Sequence, residues 1–171
     1  MDVYPKHLDR RSEDEVIDVN AVDGTYGITN LMSEAVVREN CPDHLILRCF
    51  SLAGKYAKKN TLTRIIEDDP CTVTLSGDSR FNYILHSDIS DLIQLAIEND
   101  TQGVFNVATS ENVDLFTVAA MLRKKVDFGT HRYDVGKVDN RKIASIFPAL
   151  TRHSKETITM VMVMGMQPRR R

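Results

Sequence analysis

Tyr26-Gly27-Ile28-Thr29-Asn30-Leu31-Met32-Ser33-Glu34 reads as the opening of an amphipathic helix. Ile28, Leu31, Met32, Ala35 and Val36 recur at helical spacing and predict one apolar stripe. Tyr26 and Asn30 are four residues apart, so they share a face one turn apart. Asp23 or Thr25 suits the N-cap. The pattern runs to about Asn40, where Cys41-Pro42 stops it, because a residue before proline is pushed out of the helical region. Upstream, residues 1–25 are polar and charged, with Asp9-Arg10-Arg11-Ser12-Glu13-Asp14-Glu15 at their centre, and predict a solvated surface loop.

Downstream, the apolar run Leu45-Ile46-Leu47-Arg48-Cys49-Phe50 follows a helix and predicts a strand buried on both faces of a parallel sheet. Gly54 marks the loop after it. Thr61 to Asp68 predicts a second helix with Leu62, Ile65 and Ile66 inward, ended by Glu67-Asp68-Asp69-Pro70. Cys71 to Leu75 alternates as a half-buried strand. Ser76-Gly77-Asp78-Ser79 is turn chemistry and Phe81 to Leu85 a further strand, which together predict a hairpin. Ser87 would cap a helix from Asp88 to about Asn99, with Asp88 in the first turn, where the helix dipole favours it. Gly103 to Val107 reads as a short strand, Leu115 to about Lys125 as a helix, and Asp139 to Phe147 as a short helix before Pro148. The Met-rich segment Ser154 to Met166 fits a helix or a strand, with its methionines filling the core. Pro168-Arg169-Arg170-Arg171 reads as a disordered basic end.

Composition narrows the function classes. The chain has 171 residues, 42% of them hydrophobic, which suits one domain with a buried core. A net charge of -2 gives no electrostatic case for nucleic acid or an anionic membrane surface. The longest apolar tract, Ile158 to Met166, is too short to span a bilayer. Three cysteines without CxxC spacing point to a reduced, cytoplasmic protein, with Cys49 a buried thiol. Five scattered histidines show no ligand spacing, so no metal site is expected.

Five blocks match one family in the same order. Val3-Tyr4 is similar to its "VYG" strand end. Tyr26-Gly27-Ile28-Thr29-Asn30 with Glu34 is similar to "YGxxKxxxE". Leu47 to Gly54 is similar to "LRPFNVYG". Gly77-Asp78 with Tyr83 to Ile89 is similar to "GDG…RDYIHVDDI", and Gly103 to Val107 to "GxxYNVG". Over roughly residues 1–125 the chain resembles the C-terminal half of the extended short-chain dehydrogenases/reductases, of the NAD-dependent nucleotide-sugar epimerase/dehydratase type. The resemblance implies an α/β fold: part of a Rossmann-like doubly wound parallel sheet, without the nucleotide-binding half, plus a small mixed substrate lobe. It divides a single incomplete domain into a sheet remnant over 1–70 and a substrate lobe with its tail over 71–171. It implies NAD or NADP as the family's cofactor, which this chain alone is not expected to bind.

The departures concern chemistry. The resemblance makes Tyr26 the remnant of the family's catalytic tyrosine, but Asn30 fills the position of its lysine. A free phenol has a pKa near 10, and a neighbouring ammonium can lower that by roughly 1–3 units. Asn carries no charge to do so. Loss of general acid/base catalysis alone costs roughly 100- to 10,000-fold in rate. No GxxGxxG turn is present to receive a dinucleotide pyrophosphate, and the resemblance places the family's catalytic Ser or Thr ahead of Met1. On the substrate side, Ser51 stands where the family has Asn, and Phe81 where an Arg meets the diphosphate, with Arg80 adjacent. A guanidinium fork suits phosphate, but a one-residue shift in a strand turns a side chain to the opposite face. Ser51 and Arg80 are the candidate substrate contacts. Arg48 is a structural or a pocket-edge cation, and His86 sits in a pattern that strand burial explains.

The expected function is therefore that of a truncated nucleotide-sugar epimerase, dehydratase or reductase, inactive alone. The alternatives are a half-enzyme completed by a separate NAD-binding chain, and a non-catalytic module that binds a sugar nucleotide or a protein. The expected partners are a second copy, giving a homo-oligomer, or that complementary chain.

Overall fold

The structure, a computed structural model, describes residues 3–6, 8, 10–54 and 57–164. Its α-helices are α1 (Gly24–Asn40), α2 (Thr61–Glu67), α3 (His86–Glu98), α4 (Leu115–Met121), α5 (Arg141–Ile146) and α6 (Ser154–Val163). Its strands are β1 (Arg10–Arg11), β2 (Leu45–Cys49), β3 (Ser51–Ala53), β4 (Cys71–Leu75), β5 (Arg80–Phe81), β6 (Tyr83–Leu85), β7 (Gly103–Val107), β8 (Val113–Asp114), β9 (Val126–His131) and β10 (Lys137–Val138). Four strand pairs are parallel: β1 with β10, β2 with β7, β3 with β6 and β4 with β9. The pair β5 and β8 is antiparallel. Parallel pairing needs long crossovers, and the intervening helices supply them. The result is a mixed α/β fold of small parallel sheets, in the class expected.

One exchange of partners shapes the molecule. β2 runs in register with β7 from Leu45 opposite Gly103 to Cys49 opposite Val107. The Phe50 N–H still donates to the Val107 carbonyl at 3.2 Å, but the next N–H, of Ser51, donates to the Asn82 carbonyl at 2.9 Å. The chain leaves β7 for β6 at this point. Crevices in open α/β sheets form where strands part company beyond their carboxyl ends. Asn82 sits in the gap: its side-chain oxygen accepts from the Thr109 N–H at 2.8 Å, and its amide donates to the Thr109 carbonyl at 2.9 Å.

Among the described residues, three apolar clusters form the core. One gathers Leu62, Ile65, Tyr83, Leu115, Val118 and Ile158 from α2, β6, α4 and α6. A second joins Val3, Tyr4, Phe50, Ala108, Val135 and Val138. The third packs Ile84, Leu92, Phe105, Val107, Ile143 and Leu150 around β7.

Several expectations are corrected. The hairpin of 71–75 with 81–85 does not form: β4 pairs with β9 and β6 with β3. The partner strand β9, Val-Asp-Phe-Gly-Thr-His, has no clean alternation, and Gly129 lets it approach, since a Cβ there would lie 2.3 Å from the Thr74 carbonyl oxygen. The described residues of the 1–25 segment are not a free surface loop. Val3, Tyr4, Arg11 and Val22 are buried, and Arg10–Arg11 is paired as β1. α1 has the expected bounds but turns differently. Gly27 and Glu34 are buried and Leu31 half-buried, whereas Met32, Ala35 and Val36 face outward. The ion pair of Glu34 with Arg48 rotates the helix so that a carboxylate, not the apolar stripe, faces inward. β2 is half-buried apart from Arg48, rather than buried on both faces, because among the described residues it pairs with β7 alone. α3 starts at His86, and its first turn is capped by Asp88, which accepts the Leu85 N–H at 2.9 Å, not by Ser87. α6 is a helix that buries Thr157, Ile158 and Val161, while Met160, Met162 and Met164 face outward. The basic end Pro168–Arg171 lies outside the described residues. No helix among the described residues is long and apolar enough to cross a membrane.

Candidate functional site

A cavity of about 700 Å³ opens beside the partner exchange, lined by Lys6 and Leu8 on one side and by Arg80, Asn82, Asn112 and the 134–138 turn on the other. Strand geometry places the last group. β5 and β6 form one extended stretch, so Arg80 and Asn82 face the cavity together. Phe81 and Tyr83 turn the other way: their rings stack at 5.6 Å, and Phe81 also meets Tyr133 at 4.9 Å. Backbone bonds clamp Arg80. Its N–H donates to the Tyr133 carbonyl at 2.8 Å and its carbonyl accepts the Val135 N–H at 3.2 Å, while β8 lies on its other edge. Asn112 braces the turn, donating to the Gly136 carbonyl at 2.7 Å, and Gly136 takes the left-handed conformation at φ +70°. A smaller cavity of about 160 Å³ shares Lys6 and Asp134 and adds Tyr4, Arg11, Asp23 and Tyr133. Asp23 immediately precedes α1, so this extension reaches the start of the helix that carries Tyr26.

Beneath the cavities lies a buried polar network. Arg48 holds Glu34 in a two-pronged pair, Nε to Oε1 at 2.9 Å and a terminal nitrogen to Oε2 at 2.7 Å. Its other nitrogen donates to the Tyr4 hydroxyl at 2.7 Å, and that hydroxyl donates to Asn106 Oδ1 at 2.7 Å. Arg48 is 2% exposed. Both sequence readings of Arg48 have support: every polar end is engaged inside the protein, and the side chain also borders a cavity of about 330 Å³ with Leu31 and Glu34. Burial raises the Tyr4 phenol above its ordinary pKa, against the opposing pull of Arg48. Tyr4 therefore stays protonated and serves as a hydrogen-bond bridge.

The structure separates the residues singled out in the sequence. Tyr26 is 65% exposed at the start of α1. Asn30 donates its amide to the Tyr26 carbonyl at 2.9 Å, a bond within the helix. Ser51 lies on β3, half-buried, and does not line the large cavity. Arg80 does. Burial raises the Cys49 thiol to about 11, in keeping with an inert buried thiol. His86 packs against Gly54. Among the described residues no group of His, Cys, Asp and Glu is placed to hold a metal ion. Sequence reasoning missed Lys6, Asn82, Asn112 and Lys137. Nothing in their local pattern marks them, and the crossovers that assemble them span more than 100 residues.

NAD, the cofactor of the resembled family, can be tested against these residues. Position 30 supplies an amide already committed to the helix backbone, and among the described residues α1 is preceded by a 3-10 turn at Val19–Ala21. Position 30 thus presents no cation to a nicotinamide ribose.

No family model and no curated protein matches the sequence. Solved structures do match the fold. A UDP-glucuronic acid 4-epimerase from Bacillus cereus, in complex with UDP-glucuronic acid and NAD, superimposes with a TM-score of 0.75 at 18% identity, over 94% of this chain and 57% of that one. An NAD-dependent NDP-hexosamine 5,6-dehydratase of tunicamycin biosynthesis gives 0.75 at 15% identity, over 95% and 59%. A dTDP-4-dehydrorhamnose reductase from Clostridium acetobutylicum gives 0.74 at 16%, over 95% and 62%. The fold is thus that of part of the NAD-dependent nucleotide-sugar epimerases, dehydratases and reductases, the group the sequence resembles. The chain spans about three fifths of the length of these neighbours.

Proposed function

We propose that this chain is the substrate-holding part of a nucleotide-sugar enzyme fold, that it binds a nucleoside diphosphate sugar in the large cavity, and that it carries out no hydride transfer by itself. The observation that carries the reading is the cavity of about 700 Å³ with Arg80 clamped at its wall. A pocket of this size suits a ligand of that bulk, and a guanidinium suits its phosphates. UDP-glucuronic acid occupies the Bacillus cereus neighbour, and UDP-glucose is bound in another neighbour, which aligns over 95% of this chain at 19% identity with a TM-score of 0.75. The absence of redox chemistry rests on Asn30. An uncharged amide bonded to the helix backbone offers no cation to stabilise a phenolate or to hold a ribose.

Calorimetric titration tests both halves. UDP-glucose and UDP-glucuronic acid are expected to bind, and NAD and NADP to bind no tighter than about 100 μM, roughly −5.5 kcal/mol. Tight NAD binding, or no response to any nucleotide sugar, overturns the reading.

A second reading is a half-enzyme completed by a separate NAD-binding chain. It is favoured by one observation: among the described residues β2 is paired on one edge only, by β7. An unpaired strand edge is a template for another strand. Mixing the chain with a separately purified glycine-rich βαβ partner, then assaying turnover of UDP-glucose, separates the two readings.

A further inference from the structure

We infer that Glu111 sorts the ligands of the large cavity by charge, so that the cavity takes a nucleotide sugar whose sugar is neutral and disfavours one whose sugar is an acid. The inference rests on the nucleotide-sugar reading above and adds to it the residue that discriminates between sugars.

The cavity wall leaves mainly charged groups to meet a ligand. Its neutral polar side chains, Asn82, Ser110 and Asn112, are spent inside the protein. Asn82 donates to the Thr109 carbonyl at 2.9 Å and to Asn112 Oδ1 at 3.0 Å, and its own oxygen accepts the Thr109 N–H at 2.8 Å. Asn112 donates to the Gly136 carbonyl at 2.7 Å, and the Ser110 hydroxyl donates to the Thr151 carbonyl at 2.7 Å. Charge is what such a wall can discriminate by, and like charges placed together reject the wrong ligand.

Of the two carboxylates on the wall, Glu111 is the one without a permanent cation. Asp134 stands opposite Arg80 in a β-bridge, accepts the Gly136 N–H at 2.9 Å and pairs with Arg132 at 3.4 Å, a guanidinium it shares with Asp78. Glu111 has only His153, whose Nδ1 lies 3.4 Å away. An imidazole is a cation only when protonated, so in mildly alkaline solution Glu111 stands as an uncompensated negative charge. The main chain that carries it is fixed to the start of α6: the Ser110 N–H donates to the Arg152 carbonyl at 2.9 Å, and the Glu111 carbonyl accepts the Ser154 N–H at 3.0 Å.

The balance of charge sets the sign of the selection. Lys6, Arg80 and Lys137 are the cations of the wall. The two negative charges of a nucleotide sugar's diphosphate, together with Asp134, match them in number, and Asp23 also draws on Lys6 at 3.0 Å. Glu111 is left over. A cavity of about 700 Å³ is roughly 9 Å across, close to the Debye length at physiological salt, so a carboxylate anywhere on the sugar is within range of Glu111. UDP-glucuronic acid and UDP-glucose, bound in two of the structural neighbours, differ in this one respect: the first has a carboxylate where the second has a hydroxymethyl group.

Calorimetric titration of the chain with each compound at pH 8 tests the inference. Wild type is expected to bind UDP-glucose about fivefold more tightly than UDP-glucuronic acid, the upper range for one exposed charge. Glu111→Gln is expected to bring the two affinities within about twofold, and Glu111→Lys to reverse their order. The Glu111 side chain is well exposed, so both variants are expected to fold, which thermal unfolding checks. Equal or reversed affinities in wild type, or a preference that survives in folded Glu111→Gln, overturn the assignment and leave the nucleotide-sugar reading standing. No response of wild type to either compound overturns that reading and the selection with it.

Discussion

Asp139 shows how much one side chain can carry at the surface of this molecule. It accepts hydrogen bonds from Arg141 and pairs with Arg10, and its own N–H donates to the Arg11 carbonyl, so it joins β1 to the start of α5. The Arg141 guanidinium, followed by the other donors around it, holds the Asp139 carboxyl well below the usual carboxylate range. A carboxyl depressed in the folded state contributes stability that is present above the unfolded pKa, near 4, and is lost as pH falls through the folded value. Asp139→Asn is therefore expected to be less stable than wild type at pH 7, with the gap closing as pH drops below about 4. Urea denaturation of both proteins at pH 7 and pH 3 measures this. A gap that stays constant across the range removes Asp139 from the account. Arg80 and Asn30 likewise matter as single residues: the first as a cation on the cavity wall, the second as an amide turned back on its own helix.

α1 is positioned by charge more than by grease. Its inward face carries Gly27, Leu31 and Glu34, and the Glu34 carboxylate is met by Arg48 from β2. Arg48 in turn reaches Tyr4 and, through it, Asn106 of β7. One buried ion pair thus locks a helix to two strands. Removing one partner of such a pair leaves the other charge buried and uncompensated, at about 3–5 kcal/mol. Glu34→Ala is expected to lose that much in chemical denaturation. The reverse arrangement, Glu34→Leu with Arg48→Met, is expected to recover most of it, because well-packed apolar residues often replace a buried pair without loss. A loss below about 1 kcal/mol for Glu34→Ala would show that the pair is not what seats the helix.

For the molecule as a whole, the consequence of that rotation is an uncovered apolar face. Thr29, Met32, Ser33, Val36 and Val37 form a shallow outward surface on α1 with no charge among them. Met32 is 63% and Val36 62% exposed. Uncharged, apolar helix faces of this sort draw partners, and a second copy related by a two-fold axis meets no like-charge repulsion on this patch. The purified chain is expected to self-associate at micromolar concentration. Met32→Lys with Val36→Lys is expected to return it to a monomer. Light scattering on both proteins decides the matter: a monodisperse wild-type monomer with a cooperative thermal transition would show that the face stays bare.

What the sequence by itself determined here is whatever depends on neighbours along the chain. α1 to Asn40, β2 from Leu45, α2, β4, β7 and α5 all lie close to where periodicity and turn residues place them, and the ordered motifs announced the shared fold. Three-dimensional contact decided the rest. The parallel partners of β4 and β6 lie tens of residues away, so no local signal distinguishes them from a hairpin. The outward turn of Met32 and Val36 follows from a bond between Glu34 and Arg48, 14 residues apart, which no hydrophobic period reveals. The cavity took one candidate, Arg80, from the sequence. Its companions Lys6 and Lys137 come from opposite ends of the fold and meet only because β1 pairs with β10 and the chain changes partners at Phe50. Periodicity reports which face of an element is apolar. Which element that face meets, and which charges gather at the junction, is settled by packing between segments remote in sequence.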